Sequence, residues 1–188
     1  TDAALATRAA PFASTSGNNL MVYSLPTMID GLAIAGSYQA ANTTGSGSSA
    51  YGLTYTGVDG LSVSYGSGES SGELATAGDQ NIYKASYVYG SLTVGASYNE
   101  FDASLNSNDQ EVSSFGISYT VSDEISVSFG EETIDRADKH SDIEVSGISV
   151  AYTTGGMTVT AAQTEAKNSD YTTSLNRELW NIGLSFAF

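Results

Sequence analysis

The sequence predicts an all-β chain: a transmembrane antiparallel β-barrel whose strands carry one apolar and one polar face. Three observations lead there. First, apolar side chains recur at every second position, most clearly in Trp180, Ile182, Leu184, Phe186 and Phe188, with Asn181, Gly183, Ser185 and Ala187 between them. Second, short and long connectors alternate along the chain. Third, the carboxylates collect at the long connectors. A soluble sheet has little reason to put its strongest apolar stripe at a chain end, where fraying is the default. A lipid-facing strand that closes a barrel has that reason.

Eleven alternating segments follow in order, bounded by turn residues. The first is 19–25, stopped by Pro26. The second, 32–39, puts Leu32, Ile34 and Tyr38 on one face, and 50–56 does the same with Tyr51, Leu53 and Tyr55. In 61–66, Leu61, Val63 and Tyr65 alternate with Ser62, Ser64 and Gly66. Segment 81–89 carries Tyr83, Ala85, Tyr87 and Tyr89, and 92–99 carries Leu92, Val94, Ala96 and Tyr98. Phe115, Ile117 and Tyr119 mark 112–120; Ile125, Val127 and Phe129 mark 125–131. Ile148, Val150 and Tyr152 mark 144–153, and Met157 and Val159 mark 157–164, before the terminal strand. Helical periodicity never competes over a comparable length.

The short connectors are PTMIDG, GVDG, YGS, VSDE and TTGG; the long ones are 41–49, 67–80, 101–111, 133–143 and 165–178. This rhythm gives one end of a barrel tight turns and the other long loops, as outer-membrane barrels have. A sandwich or Greek key does not require it. Tyrosines near strand ends fit an aromatic girdle at the headgroup zones.

Composition narrows the classes. The 188 residues include 20 Gly and 12 Tyr, only 14% are charged, and the net charge is −15. No stretch approaches eighteen apolar residues, which excludes a transmembrane helix. The mean hydropathy of −0.11 suits strands that keep half their side chains in water. Nucleic acid is excluded as a partner, because phosphate binding needs basic clusters. Without cysteine there is no disulfide or thiolate metal site. The start, TDAALATRAAPF, is no signal peptide, so an exported protein is expected to have shed one.

With the Phe-terminated last strand, the segment NNLMVYSLPTMIDGLAIAGSYQ (18–39) and the loop-and-turn rhythm, the chain resembles the general porins of Gram-negative bacteria. The resemblance implies a water-filled, sixteen-stranded, trimeric barrel in the cell outer membrane. It implies that 1–17 is the tail of the constriction loop and that 18–188 holds the last eleven strands of the barrel domain. The remaining strands would come from the same protein or another chain. A competing reading makes 4–14 a twelfth strand of a small complete barrel, against which Pro11 and poor alternation argue. Phe188, Phe186 and Trp180 would form the signal read by the barrel-assembly machinery.

The working surface is then the lumen wall, where small hydroxyls and amides meet water without holding solutes tightly. Gln39 and Asn99 are inward positions. Porins of this kind set loop carboxylates against a basic wall, so Lys84 and Arg8 are candidates for the constriction with Asp2 opposite, and Glu132 and Arg177 are candidates near the mouth. An acidic mouth with scarce bases predicts weak cation preference. The expected function is passive diffusion of small hydrophilic solutes and ions. The alternative is a non-conducting barrel used in adhesion or surface structure.

Partners expected are outer-membrane lipid and lipopolysaccharide. No cofactor is expected beyond loosely held Ca or Mg at 106–111 or 135–144, neither of which has EF-hand spacing. A barrel protease or lipase would need His140, the single imidazole, held by a partner such as Asp138, Asp142 or Ser141. A histidine in an acidic loop is ordinarily just solvated.

Overall fold

The computed structural model describes residues 20–41, 47–71 and 77–187. Its eleven strands are β1 (Leu20–Ser24), β2 (Leu32–Gln39), β3 (Gly47–Tyr55), β4 (Leu61–Ser71), β5 (Gly78–Tyr89), β6 (Leu92–Ala103), β7 (Gln110–Thr120), β8 (Ile125–Arg136), β9 (Ile143–Thr154), β10 (Met157–Lys167) and β11 (Arg177–Phe186). They form one antiparallel sheet in sequence order, each strand pairing with the next. Alternating side chains and tight turns produce this meander directly, since two-residue and four-residue connectors can only join neighbours.

Strands run further at the long-loop end than alternation indicates. β4 continues to Ser71, β6 to Ala103 and β8 to Arg136, while β5 begins at Gly78. Apolar alternation stops where the side chains leave the apolar belt, but backbone ladders need no apolar side chain to continue. The connectors shrink accordingly, and two carry single 3-10 turns at Asn106–Asn108 and Ser169–Tyr171.

Register fixes the two faces, because directly opposed residues point the same way. Leu53, Tyr65, Tyr83 and Tyr98 are successive partners on one face. Thr54, Ser64, Lys84 and Ser97 are successive partners on the other. On the first face Tyr65 and Tyr83 lie 5.0 Å apart by ring centroid, flanked by Tyr51 at 6.0 Å and Tyr98 at 6.3 Å. This tyrosine row borders the apolar belt: one pair further toward the loops come Ser67, Asn81, Glu100 and Glu111. Tyr55, Tyr87, Tyr89, Tyr119 and Tyr152 mark the turn-side border. The exposed belt residues are large, including Trp180 at 70% and Ile182 at 83% exposure, which only a lipid or partner environment makes economical.

The turns explain one glycine requirement. Gly60 has φ +73°, and a Cβ there would collide with the Val88 carbonyl oxygen. Its own carbonyl accepts from Val88 N at 2.8 Å, tying two adjacent turns together. At the other end, Val112, Ile134 and Ile143, each 2% exposed, form an apolar cluster on the serine face, with Val145 and Tyr171 packed on it. The 168–176 loop therefore lays Tyr171 over the serine face of the sheet, a feature that strand alternation gives no sign of.

Candidate functional site

The serine face is the candidate lumen wall. One unbroken cross-strand row runs Ala33, Thr54, Ser64, Lys84, Ser97, Ser114, Glu132, Val145, Ala166, Arg177. It brings Lys84, Glu132 and Arg177 onto one line without bringing them into contact. Lys84 and Glu132 are three strands apart, about 14 Å at the usual strand spacing. Gln39 faces the same way near the loop end of β2, where its Oε1 accepts from Ser48 Oγ at 3.4 Å. Asn99 lies between Ile82 and Val112, one step loopward of the row.

Hydroxyls on this wall satisfy one another across strands. Thr54 and Ser64 lie 2.9 Å apart, Ser97 and Ser114 2.6 Å, and Ser128 and Ser149 2.7 Å. Beside them runs a row with almost no side chains: Ser86, Gly95, Gly116, Gly130, Gly147. None of these four glycines needs an unusual φ, and a Cβ at each would meet its nearest neighbour at 3.3–3.8 Å. Sequence reading saw these glycines but not that they line up, because alignment depends on register. Together the two rows make a recess of about 480 Å³ that includes Ser62, Ser64, Lys84, Ser86, Ser97 and Ser114.

The charges divide by face. Glu69, Asp79, Glu100, Asp102, Glu111, Glu131, Asp135, Glu144, Glu165 and Glu178 all take the tyrosine face in their strands. Among the described strand carboxylates only Glu132 faces the wall. The bases there are Lys84, Arg136 and Arg177. Arg136 Nε lies 2.8 Å from Asp138 Oδ1, and its Nη2 donates to Asn108 Oδ1 at 2.9 Å. Arg177 Nη2 lies 2.8 Å from Asp170 Oδ2. Arg136 was missed because the alternation ends before it. The strand acids in and beside the long connectors therefore do not line this wall: a period of two sends residues at odd spacing from the serines outward, whatever their distance from a loop.

The 137–142 and 168–176 loops lock together over the apolar cluster. Ser141 Oγ and Thr173 Oγ1 are 2.6 Å apart, and Asn168 Nδ2 donates to the Asp142 carbonyl at 3.0 Å. Lys139 sits 5.8 Å from the Tyr171 ring centroid and 2.8 Å from Asp138 Oδ2. The Lys139 hydrogen bond, with the Arg136 and Lys139 charges, holds the Asp138 carboxyl below its ordinary value. Asp142, though exposed, is raised instead, by slight desolvation and by nearby Asp135 and Glu144. His140 is exposed, and the side chains beside it are engaged elsewhere, so the residues of a hydrolase are not assembled.

The acidic loops gather no metal ligands: among the described residues no group of three or more His, Cys, Asp or Glu is placed to hold an ion. In 106–111, Asp109 Oδ1 instead accepts from Ala103 N at 2.9 Å. Trp180 and Phe186 project from the lipid-side face of β11, 70% and 56% exposed. Asp2, Arg8 and Phe188 lie outside the described residues.

Known proteins share this architecture. Residues 2–142 match a family described as Gram-negative porin. The anion-selective porin from Comamonas acidovorans is similar in structure, with a TM-score of 0.72 and 16% identity over 91% of this chain and 60% of that one. OmpT of Vibrio cholerae, an outer-membrane protein, gives 0.62 and 15% over 89% of this chain and 64% of its own. NanC porin gives 0.54 and 12% over 92% of this chain and 96% of its own. At such identities these likenesses speak for the fold. The chain spans about 60% of the length of the first two solved porins it resembles. No protein with a curated description matches it.

Proposed function

The chain belongs to the Gram-negative porin family, and from that premise we propose that it forms the larger part of the wall of a water-filled pore for passive diffusion of small hydrophilic solutes and ions. Its place is the outer membrane. The observation that carries the proposal is the two-faced sheet. A belt of Leu, Val, Ile, Phe and Tyr covers one side, and Ser, Thr and Gly cover the other, with a tyrosine row where the belt ends. Paired hydroxyls and bare backbone offer water a path and hold no solute strongly, which throughput requires.

Residues 18–188 are proposed as the C-terminal strands of a sixteen-stranded barrel, the other strands coming from the same protein or another chain, with 1–17 as the tail of the constriction loop. An eleven-stranded sheet with β1 and β11 at its two edges supports this reading, since barrels abolish edges. Asp2 and Arg8 keep their proposed place at the constriction, as do Gln39, Lys84 and Asn99 on the wall and Glu132 and Arg177 near the mouth. Homotrimer formation, contact with lipopolysaccharide and recognition of the Phe-terminated strand by the assembly machinery belong to the same proposal. The weak cation preference expected from net charge draws no support from the wall, because the strand carboxylates other than Glu132 face away from it.

Planar-bilayer recording of the purified protein tests the reading. Discrete current steps that scale with KCl conductivity are expected. A correctly inserted barrel that yields none would favour the non-conducting surface role.

A further inference from the structure

We propose that the recess around Lys84 is a contact site for small oxyanions in transit, and that Lys84 biases this pore toward anions. The inference rests on the pore reading and adds the solute class.

Four observations carry it. Lys84 has no carboxylate partner among the described residues, whereas Arg136 and Arg177, the other bases on this face, are taken up by Asp138 and Asp170. Among the described strand bases its ammonium is therefore the one left to meet a solute. On either side of it stands a hydroxyl pair, Thr54 with Ser64 and Ser97 with Ser114. In such a pair one hydroxyl spends its proton on the other, and the second keeps its proton free to donate. Each pair beside Lys84 thus has one O–H proton beyond the bond it makes within itself, a donor set that suits a phosphate, sulfate or carboxylate.

The third observation is room. Gly95 and Gly116 leave the recess open to about 480 Å³. Neither is demanded by the sheet, since added Cβ atoms would find their nearest neighbours at 3.6 and 3.8 Å. The fourth is the outward turn of the strand carboxylates, which removes the groups that would attract cations to this wall. Glu132, the exception, lies about 14 Å along the sheet, beyond the Debye length of about 8 Å at physiological salt. A unit charge at contact distance in water raises the local concentration of an anion about fivefold. That is enough to select and too weak to trap.

The test uses the full protein in planar bilayers, reading reversal potential in a KCl gradient and the fall in chloride current when inorganic phosphate is added at constant ionic strength. Wild type should show an anion-directed potential. K84Q should lower the chloride-to-potassium permeability ratio by about two- to fivefold and abolish the phosphate effect, and K84R should restore both. The double variant S97A/S114A keeps the charge and removes one hydroxyl pair whole, since S97A alone would leave Ser114 its proton: the phosphate effect should weaken. Conducting K84Q channels with wild-type selectivity and phosphate response would overturn the site and leave the pore intact. If K84Q does not insert, an unaltered phosphate response in S97A/S114A overturns the donor set. Absence of any channel from wild type would remove the pore and this inference together.

Discussion

Glu100 and Glu111 stand directly opposite each other across the β6–β7 ladder, both on the outward face, just loopward of the tyrosine row. Asp135 continues the same row on β8. Directly opposed like charges cost a sheet roughly 0.2–1 kcal/mol per pair. Salt screens that cost. Glu100→Gln should stabilise the barrel by that amount at low ionic strength and by less at high salt. Denaturant midpoints for wild type and variant at two salt concentrations check it.

Neighbouring residues on one strand should respond oppositely to charge. Val150 lies mid-belt on β9 between Ile148 and Tyr152, and Ser149 faces the wall beside Ser128. Val150→Arg should cost about 2–4 kcal/mol in lipid vesicles, the price of a cation against hydrocarbon. Ser149→Arg should leave stability within about 0.5 kcal/mol and change conductance instead.

The glycine row should control the width of the pore. Gly116 pairs with Gly95 and Gly130, and nothing approaches its missing Cβ closer than 3.8 Å. Gly116→Leu should fold with a stability change below about 1 kcal/mol and reduce the single-channel step. An unchanged step would mean that the trough lies off the solute path.

The loop shelf should tighten and then loosen as pH falls. Asp142 has a raised carboxyl pKa, so the folded loops hold its proton more tightly than the unfolded chain does. Their stability rises as pH drops through that raised value toward the ordinary 3.8. Asp138 is lowered, so the stability it provides holds above 3.8 and is lost as pH falls through its depressed value. Protection factors at 137–142 and 168–176, taken against the intrinsic exchange rate at each pH, should therefore rise between neutral pH and about 4, and the rise should vanish in Asp142→Asn. Tyr171→Ala, which strips the apolar cluster of its cover, should speed exchange there about 5–30-fold with the strands unaffected.

Alternation made the strands, their order and their faces readable, because a period of two is written into each segment separately. It located Lys84 on the wall for the same reason. What it did not reveal depends on relations between strands. The alignment of Gly95, Gly116, Gly130 and Gly147 exists only once register is set. The facing of Glu100, Glu111 and Glu131 follows from phase, yet their nearness to loops suggested a mouth. The inward cluster of Val112, Ile134 and Ile143 breaks the polar pattern of its own face, because a folded-back loop covers it.

The central claim is that the serine face meets water while the tyrosine face meets lipid, and the chain's lack of cysteine makes it directly measurable. Single cysteines placed in turn from Gly147 to Tyr152 of β9, in protein reconstituted into vesicles, report their surroundings through a membrane-impermeant thiol reagent added from the loop side. Labelling at Gly147, Ser149 and Ala151 with protection at Ile148, Val150 and Tyr152 is predicted. Uniform labelling along the strand, or labelling in the opposite phase, would contradict it.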